Sequence, residues 1–182
     1  MGFVPDDGWP GGEYFTDGAG GKYSSWPALR RCGCGLVYLS AGELLAPLFG
    51  AFFPLAGEPQ TGPRPDLFAI IVILVFLAPC ACVAIHTDSE LCVKGFAARK
   101  DDGEHADLWL LLWSTISAKS FTVQVRWVKA HGLEHPEFIS TFAISSHLLL
   151  GNALVDRLAD RAANAAAIEY NIASSILSLY AE

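Results

Sequence analysis

Residues 13–20 read Glu13-Tyr14-Phe15-Thr16-Asp17-Gly18-Ala19-Gly20. Two aromatic side chains and a threonine have the character of a strand end, and an Asp followed by small residues reads as its exit turn. A carboxylate there is projected from a rigid strand into whatever cleft the fold supplies. Asp-Gly is also an ordinary turn dipeptide, so the octapeptide gains meaning only if other carboxylates stand at the ends of neighbouring elements.

Working outward, residues 1–12 are rich in Gly, Pro and Asp and predict a loosely held, flexible N-terminal arm. Strands are expected at 13–16, 31–40 and 50–56, joined by short loops as an antiparallel meander. Arg64-Pro65-Asp66 opens a helix to about Leu77, with Pro in the first turn and an Asp that complements the helix dipole. A fourth strand spans 81–87 and a short helix 89–98. After a polar loop, a third helix runs over 107–118 with Leu108, Leu111, Leu112 and Ile116 inward. A fifth strand, 121–129, places Phe121, Val123, Val125 and Trp127 on one face. An irregular stretch from 132 to 150 precedes an Ala-rich helix over 152–169, and 170–182 forms a helical tail. The order β-β-β-α-β-α-α-β-α predicts an α/β domain over 13–169, a mixed sheet with helices on its faces.

Composition sets limits. The 182 residues suffice for one well-packed domain. Charged residues make up 17% and the net charge is −7, which argues against tight, sequence-independent nucleic-acid binding by bulk electrostatics. Five Cys and the lack of an apolar leader favour a reducing, intracellular setting, cytoplasmic or nuclear. Cys32/Cys34 and Cys80/Cys82 form two Cys-x-Cys pairs, read as same-face burial on two strands rather than as a thiolate metal site. Leu67 to Ile85 holds no charge over 19 residues, long enough for a membrane span. Pro79 divides it and no positive-inside signal flanks it, so a buried helix followed by a buried strand is the preferred reading, with no membrane contact.

Four acidic residues then stand at element ends: Asp17, Asp66, Asp88 and Asp156. If strands 1 and 4 are adjacent and parallel, Asp17 and Asp88 come within reach of one another. Clustered carboxylates repel and raise each other's pKa, so the set predicts bound divalent metal. Two Mg²⁺ ions about 4 Å apart suit phosphodiester cleavage, activating a water and stabilising the leaving oxygen.

The chain resembles the ribonuclease H family. The resemblance is carried in order by Phe15-Thr16-Asp17-Gly18, Gln60-Thr61-Gly62-Pro63-Arg64-Pro65-Asp66-Leu67, Ile85-His86-Thr87-Asp88-Ser89, Val125-Arg126-Trp127-Val128-Lys129-Ala130-His131 and Gly151-Asn152-Ala153-Leu154-Val155-Asp156. It implies a five-stranded mixed sheet, three antiparallel strands then two parallel, with helices on both faces. It also implies a metal-dependent endonuclease cutting the RNA strand of RNA–DNA hybrids with two Mg²⁺ ions, or Mn²⁺. On this resemblance Asp17, Asp66, Asp88 and Asp156 are the metal ligands, and His131 is the loop histidine that assists proton transfer or product release. Gly18, Gln60, Thr61 and Asn152 are the substrate contacts, Thr61 toward a phosphate of the DNA strand.

There are departures. Asp66 stands where the family has Glu, about 1.3–1.5 Å shorter in reach, which is large against metal–oxygen distances near 2.1 Å. Gly62 replaces a common Asn, and Ala153 a common Glu. The basic protrusion of some members is absent, since Arg99 and Lys100 are followed by Asp101, Asp102 and Glu104. The loop after His131 is longer than in compact bacterial members, as in members related to retroelements, which implies a larger polyprotein as the setting. The first helix shows almost no polar face. These departures support an alternative, a divergent ribonuclease H-like module with weak or no catalysis.

Overall fold

The structure, a computed structural model, describes residues 6–39, 47–130 and 145–179. Five strands form one sheet: β1 (Gly12–Ala19), β2 (Gly33–Leu39), β3 (Pro47–Pro54), β4 (Cys82–Thr87) and β5 (Thr122–Trp127). Their spatial order is β3-β2-β1-β4-β5. The β1–β2 and β2–β3 pairs are antiparallel, and β1–β4 and β4–β5 are parallel. The helices are α1 (Pro63–Phe76), α2 (Glu90–Ala97), α3 (Ala106–Lys119), α4 (Ser146–Ala166) and α5 (Tyr170–Leu179). The expected mixed sheet is present.

Strand alternation assigns the two faces. Tyr14 and Leu36 point into the larger core, with Leu67, Ile70 and Leu74 of α1, Cys92 of α2, and Leu108, Trp109 and Leu112 of α3. Phe15, Val37 and Leu39 point the other way and meet Val155 of α4. Helix α1 is apolar nearly all round because it lies between the sheet and α3; Leu67, Ile70, Ile71, Ile73 and Leu74 are all buried. No helix of the described residues is long and apolar enough to cross a membrane.

Close approach fixes α4. A Cβ on Gly33 would lie 2.2 Å from the Ala163 nitrogen, and one on Gly35 would lie 2.5 Å from the Val155 carbonyl oxygen. Buried Ala159, Ala162 and Ala163 complete the contact from the helix side. An alanine stripe therefore lies on a Gly-x-Gly strand, backbone close to backbone.

Several expectations are corrected. β1 continues through Asp17, which pairs with Gly35, so Asp17-Gly18 is strand rather than turn. Helix α4 begins at Ser146, where the Ser145 hydroxyl accepts from the His147 N–H at 3.3 Å, and Asp156 sits in its middle rather than one turn in. Leu111 is exposed and Trp109 takes its buried place; Trp127 is also largely exposed, because β5 is an edge strand. Cys32 and Cys34 are buried as expected, but Cys80 and Cys82 are exposed, since Cys80 precedes β4 in a left-handed conformation. The arm is held at Trp9, which is buried against Tyr14, Phe49 and Phe76 and exchanges backbone hydrogen bonds with Phe76 and Ala78.

Candidate metal centre

Parallel pairing of β1 with β4 sends both strands toward the same end of the sheet, so Asp17 and Asp88 arrive side by side. Pro63 and Pro65 start α1 beside them, and Asp66 occupies its first turn. Gly18 makes the approach possible, since a Cβ there would sit 2.6 Å from the Pro65 ring and 2.8 Å from the Asp66 nitrogen. Each of Asp17, Asp66 and Asp88 offers a carboxylate oxygen, and these atoms lie within 4.8 Å of one another. Shorter by a methylene than Glu, Asp66 still joins the cluster. Asp156 reaches the same open cavity from α4, about 430 Å³ in volume and also lined by Gly62, Pro63, Ser89 and Leu91, but stands outside the set of three.

Burial and like charge dominate the electrostatics. Asp17 is pushed up to about 9, chiefly by burial and then by Asp88 and Asp66, against the pull of the Gly18 N–H, which donates to its Oδ1 at 2.8 Å. Asp66 is pushed up to about 8 by burial and Asp88, with the Gly18 and Asp66 N–H groups pulling it down. Such carboxylates ionise together at neutral pH only when a cation offsets their repulsion.

The turn after β4 is pinned on both sides. The Thr87 hydroxyl accepts from the Ser89 N–H, and the Trp127 indole N–H donates to the Asp88 carbonyl at 3.2 Å. The contribution of Trp127 was hidden in the sequence, where it looked like one more apolar strand residue.

The other expected residues are dispersed around this centre. Gln60 is buried, its amide oxygen accepting from the Cys32 N–H at 2.8 Å and its nitrogen donating to the Leu55 and Gly57 carbonyls. It therefore braces the segment carrying Thr61, whose hydroxyl lies 3.4 Å from His105 Nε2. His105, buried at the start of α3, carried no signal in the sequence. Asn152 is buried one helical turn before Asp156, and its Oδ1 has no hydrogen-bond partner among the described residues. His131 lies outside the described residues.

No protein-family model matches the sequence, and no curated protein matches it. Solved structures do match. The PFV RNase H domain aligns with a TM-score of 0.59 at 20% identity, over 83% of this chain and 93% of that one. A selenomethionine-labelled mutant of the prototype foamy virus protease-reverse transcriptase gives 0.60 at 22% identity, over 88% of this chain and 22% of that longer one. An N-terminal RNase H domain from Mycobacterium tuberculosis, solved as a fusion with maltose binding protein, gives 0.56 at 19%, over 85% of this chain and 95% of that one. Element order, sheet topology and these likenesses agree: the fold of this chain is that of ribonuclease H.

Proposed function

We propose that this chain is a metal-dependent endonuclease that hydrolyses the RNA strand of RNA–DNA hybrids, with Asp17, Asp66, Asp88 and Asp156 holding two Mg²⁺ or Mn²⁺ ions. One observation carries the reading: three carboxylates from three separate elements, two of them buried, converge within 4.8 Å. An all-oxygen donor set under mutual repulsion suits a hard divalent cation. When bound, the ion pair supplies activation of a water and neutralises charge on the leaving oxygen.

The residues divide the remaining work. Asp17 and Asp66, buried on rigid elements, fix the centre, and with Asp88 and Asp156 they line the open cavity where a phosphate can enter. Gly18 leaves the floor free of side chain. Thr61, steadied by His105 and by the Gln60 brace, serves a phosphate of the DNA strand, and Asn152, one helical turn before Asp156, serves as a further substrate contact. His131 serves proton transfer or product release. The free thiols at all five cysteines agree with an intracellular, cytoplasmic or nuclear setting. The match to a fifth of a protease-reverse transcriptase agrees with a place in a larger polyprotein.

Incubation with an end-labelled RNA–DNA hybrid tests the reading: cleavage of the RNA strand in Mg²⁺ or Mn²⁺, abolished by EDTA and by Asp88→Asn, is expected. No cut at high protein concentration in Mn²⁺ would overturn it. The position of Asp156 outside the set of three favours a second reading, a hybrid-binding module with weak catalysis. That module would bind the hybrid in Mg²⁺ and leave it whole.

A further inference from the structure

The connection from β1 to β2 carries a charge pattern unlike the rest of the chain. No Asp or Glu occurs from Gly18 to Gly42, and Lys22, Arg30 and Arg31 supply three of the 12 Lys and Arg of a chain whose net charge is −7. β1 ends at Ala19, two residues beyond Asp17, so this loop leaves the sheet at the same end as the acidic centre.

The loop is compact and pinned. Gly21 is left-handed, with φ of 71°, and a Cβ there would lie 2.7 Å from the Arg31 carbonyl oxygen, so the two sides of the loop meet beside Lys22 and Arg31. Turns follow one another between them. The Ser24 N–H donates to the Gly21 carbonyl, the Trp26 N–H to that of Tyr23, and the Leu29 and Arg30 N–H groups to that of Trp26. Leu29 is buried, and the Arg30 guanidinium donates to the Ser24 carbonyl at 2.7 Å and to the Gln60 carbonyl at 3.2 Å. The last bond ties the loop to the segment that carries Thr61.

The cations of this loop keep their charge. Among the described residues, none of Lys22, Arg30 and Arg31 is paired with a carboxylate. Lys22 Nζ lies 5.5 Å from the ring centroids of both Tyr23 and Tyr170, and Arg31 donates to the Arg30 carbonyl at 2.7 Å. Such contacts orient a cation without neutralising it. Trp26 is 44% exposed although its backbone N–H and carbonyl are both bonded within the loop. An indole presented on a fixed backbone, beside uncompensated positive charge, suits unpaired nucleotides: the ring offers a face to an unstacked base while the cations meet phosphates. Bases inside a duplex are already stacked and offer no such face.

We propose that the loop between β1 and β2 binds single-stranded nucleic acid, an unpaired strand that runs on from a hybrid seated at the acidic centre. Trp26 stacks on one of its bases, and Lys22 and Arg31 meet its phosphates. This rests on the hybrid-cleaving reading only for what occupies the centre next to the loop.

Fluorescence anisotropy in EDTA tests it, using an uncleavable 2′-O-methyl RNA–DNA hybrid, either blunt or extended by about ten unpaired thymidines. The extension is expected to tighten binding at least about tenfold at low salt and to steepen the slope of log affinity against log salt by about 1.4, the share of two phosphates on a single strand. Trp26→Ala should lose about fivefold or more of the gain, and Trp26→Phe should keep most of it. The double variant Lys22→Gln/Arg31→Gln should lose the added slope. Affinity for the blunt hybrid should be unchanged in all three. No gain in the wild type, a gain that survives both Trp26→Ala and the double variant, or an equal gain from an abasic extension would overturn the proposal. If Trp26→Ala fails to fold, the double variant and the abasic extension decide. Oligothymidine alone, bound with the same dependence on Lys22 and Arg31, supports the loop even where the blunt hybrid is not cut in Mn²⁺, a result that would reject the hydrolase reading by itself.

Discussion

At the scale of single residues, Asp66 decides how the acidic centre is read. The shorter side chain reaches the cluster because α1 comes close over Gly18, where a Cβ would strike Pro65. Asp66→Asn is expected to reduce metal-dependent hybrid cleavage by at least about 10²-fold, the loss of a few kcal/mol of charge stabilisation. Asp66→Glu adds a methylene to a packed position and is expected to leave cleavage unchanged or lower, measured as kcat in Mg²⁺. The same carboxylates predict a pH dependence. Asp17 and Asp66 titrate near 9 and 8 in the folded protein, above the usual unfolded value of about 3.9. The folded state therefore holds protons that the unfolded state releases. Their contribution to stability is complete below about pH 4 and is lost as pH rises toward 9. In EDTA the melting temperature should be lower at pH 8.5 than at pH 6, and Mg²⁺ or Asp17→Asn should remove most of that difference. An EDTA profile that rises over this interval would mean that the carboxylates do not repel as described.

Among the elements, the contact of α4 with β2 sets the position of Asp156. Gly35→Ala would place a Cβ 2.5 Å from the Val155 carbonyl, the residue next to Asp156. Overpacking of this kind costs about 1–3 kcal/mol, and the helix must move away from the sheet to relieve it. Cleavage should then fall well beyond the fraction unfolded, seen by comparing a urea unfolding curve with hybrid turnover on the same preparation. Loss of stability without extra loss of turnover would show that Asp156 does not depend on this contact. The glycines of β2 were visible in Arg31-Cys32-Gly33-Cys34-Gly35 as strand, but their partner was not. Close packing of two backbones joins Gly and Ala positions over 120 residues apart, and no local periodicity records it. The early placement of β1, α1 and β4 was legible because each carries a local signal: two adjacent aromatics and a threonine, prolines in a first turn, and β-branched residues at alternate positions. The start of α4 was missed because Leu148, Leu149 and Leu150 form an apolar run without a clear period. The Ser145 cap alone marked the boundary.

For the whole molecule, the distribution of charge is the least legible property and the one that bears most on substrate binding. The sequence supplies 12 Lys and Arg against 19 Asp and Glu. The fold then commits several of the cations to the protein itself. Arg64 is held by both oxygens of Asp107, joining α1 to α3, and Lys94 by Glu90. Lys119 donates to the Val75 and Leu77 carbonyls, Arg30 to those of Ser24 and Gln60, and Arg161 covers the Phe52 ring. With five of the twelve cations engaged in this way and 19 carboxylates on the chain, the proposed hybrid binding is expected to come mainly through metal at the acidic centre and short-range contacts around it. Each neutralised phosphate contributes a little under one unit to the slope of log affinity against log salt. For an uncleavable 2′-O-methyl RNA–DNA hybrid followed by fluorescence anisotropy, a slope no steeper than about −3 is expected, with affinity that rises when Mg²⁺ replaces EDTA. A slope steeper than about −6 that is indifferent to Mg²⁺ would reveal a basic groove organised despite the net charge, and would move the main source of affinity away from the aspartates.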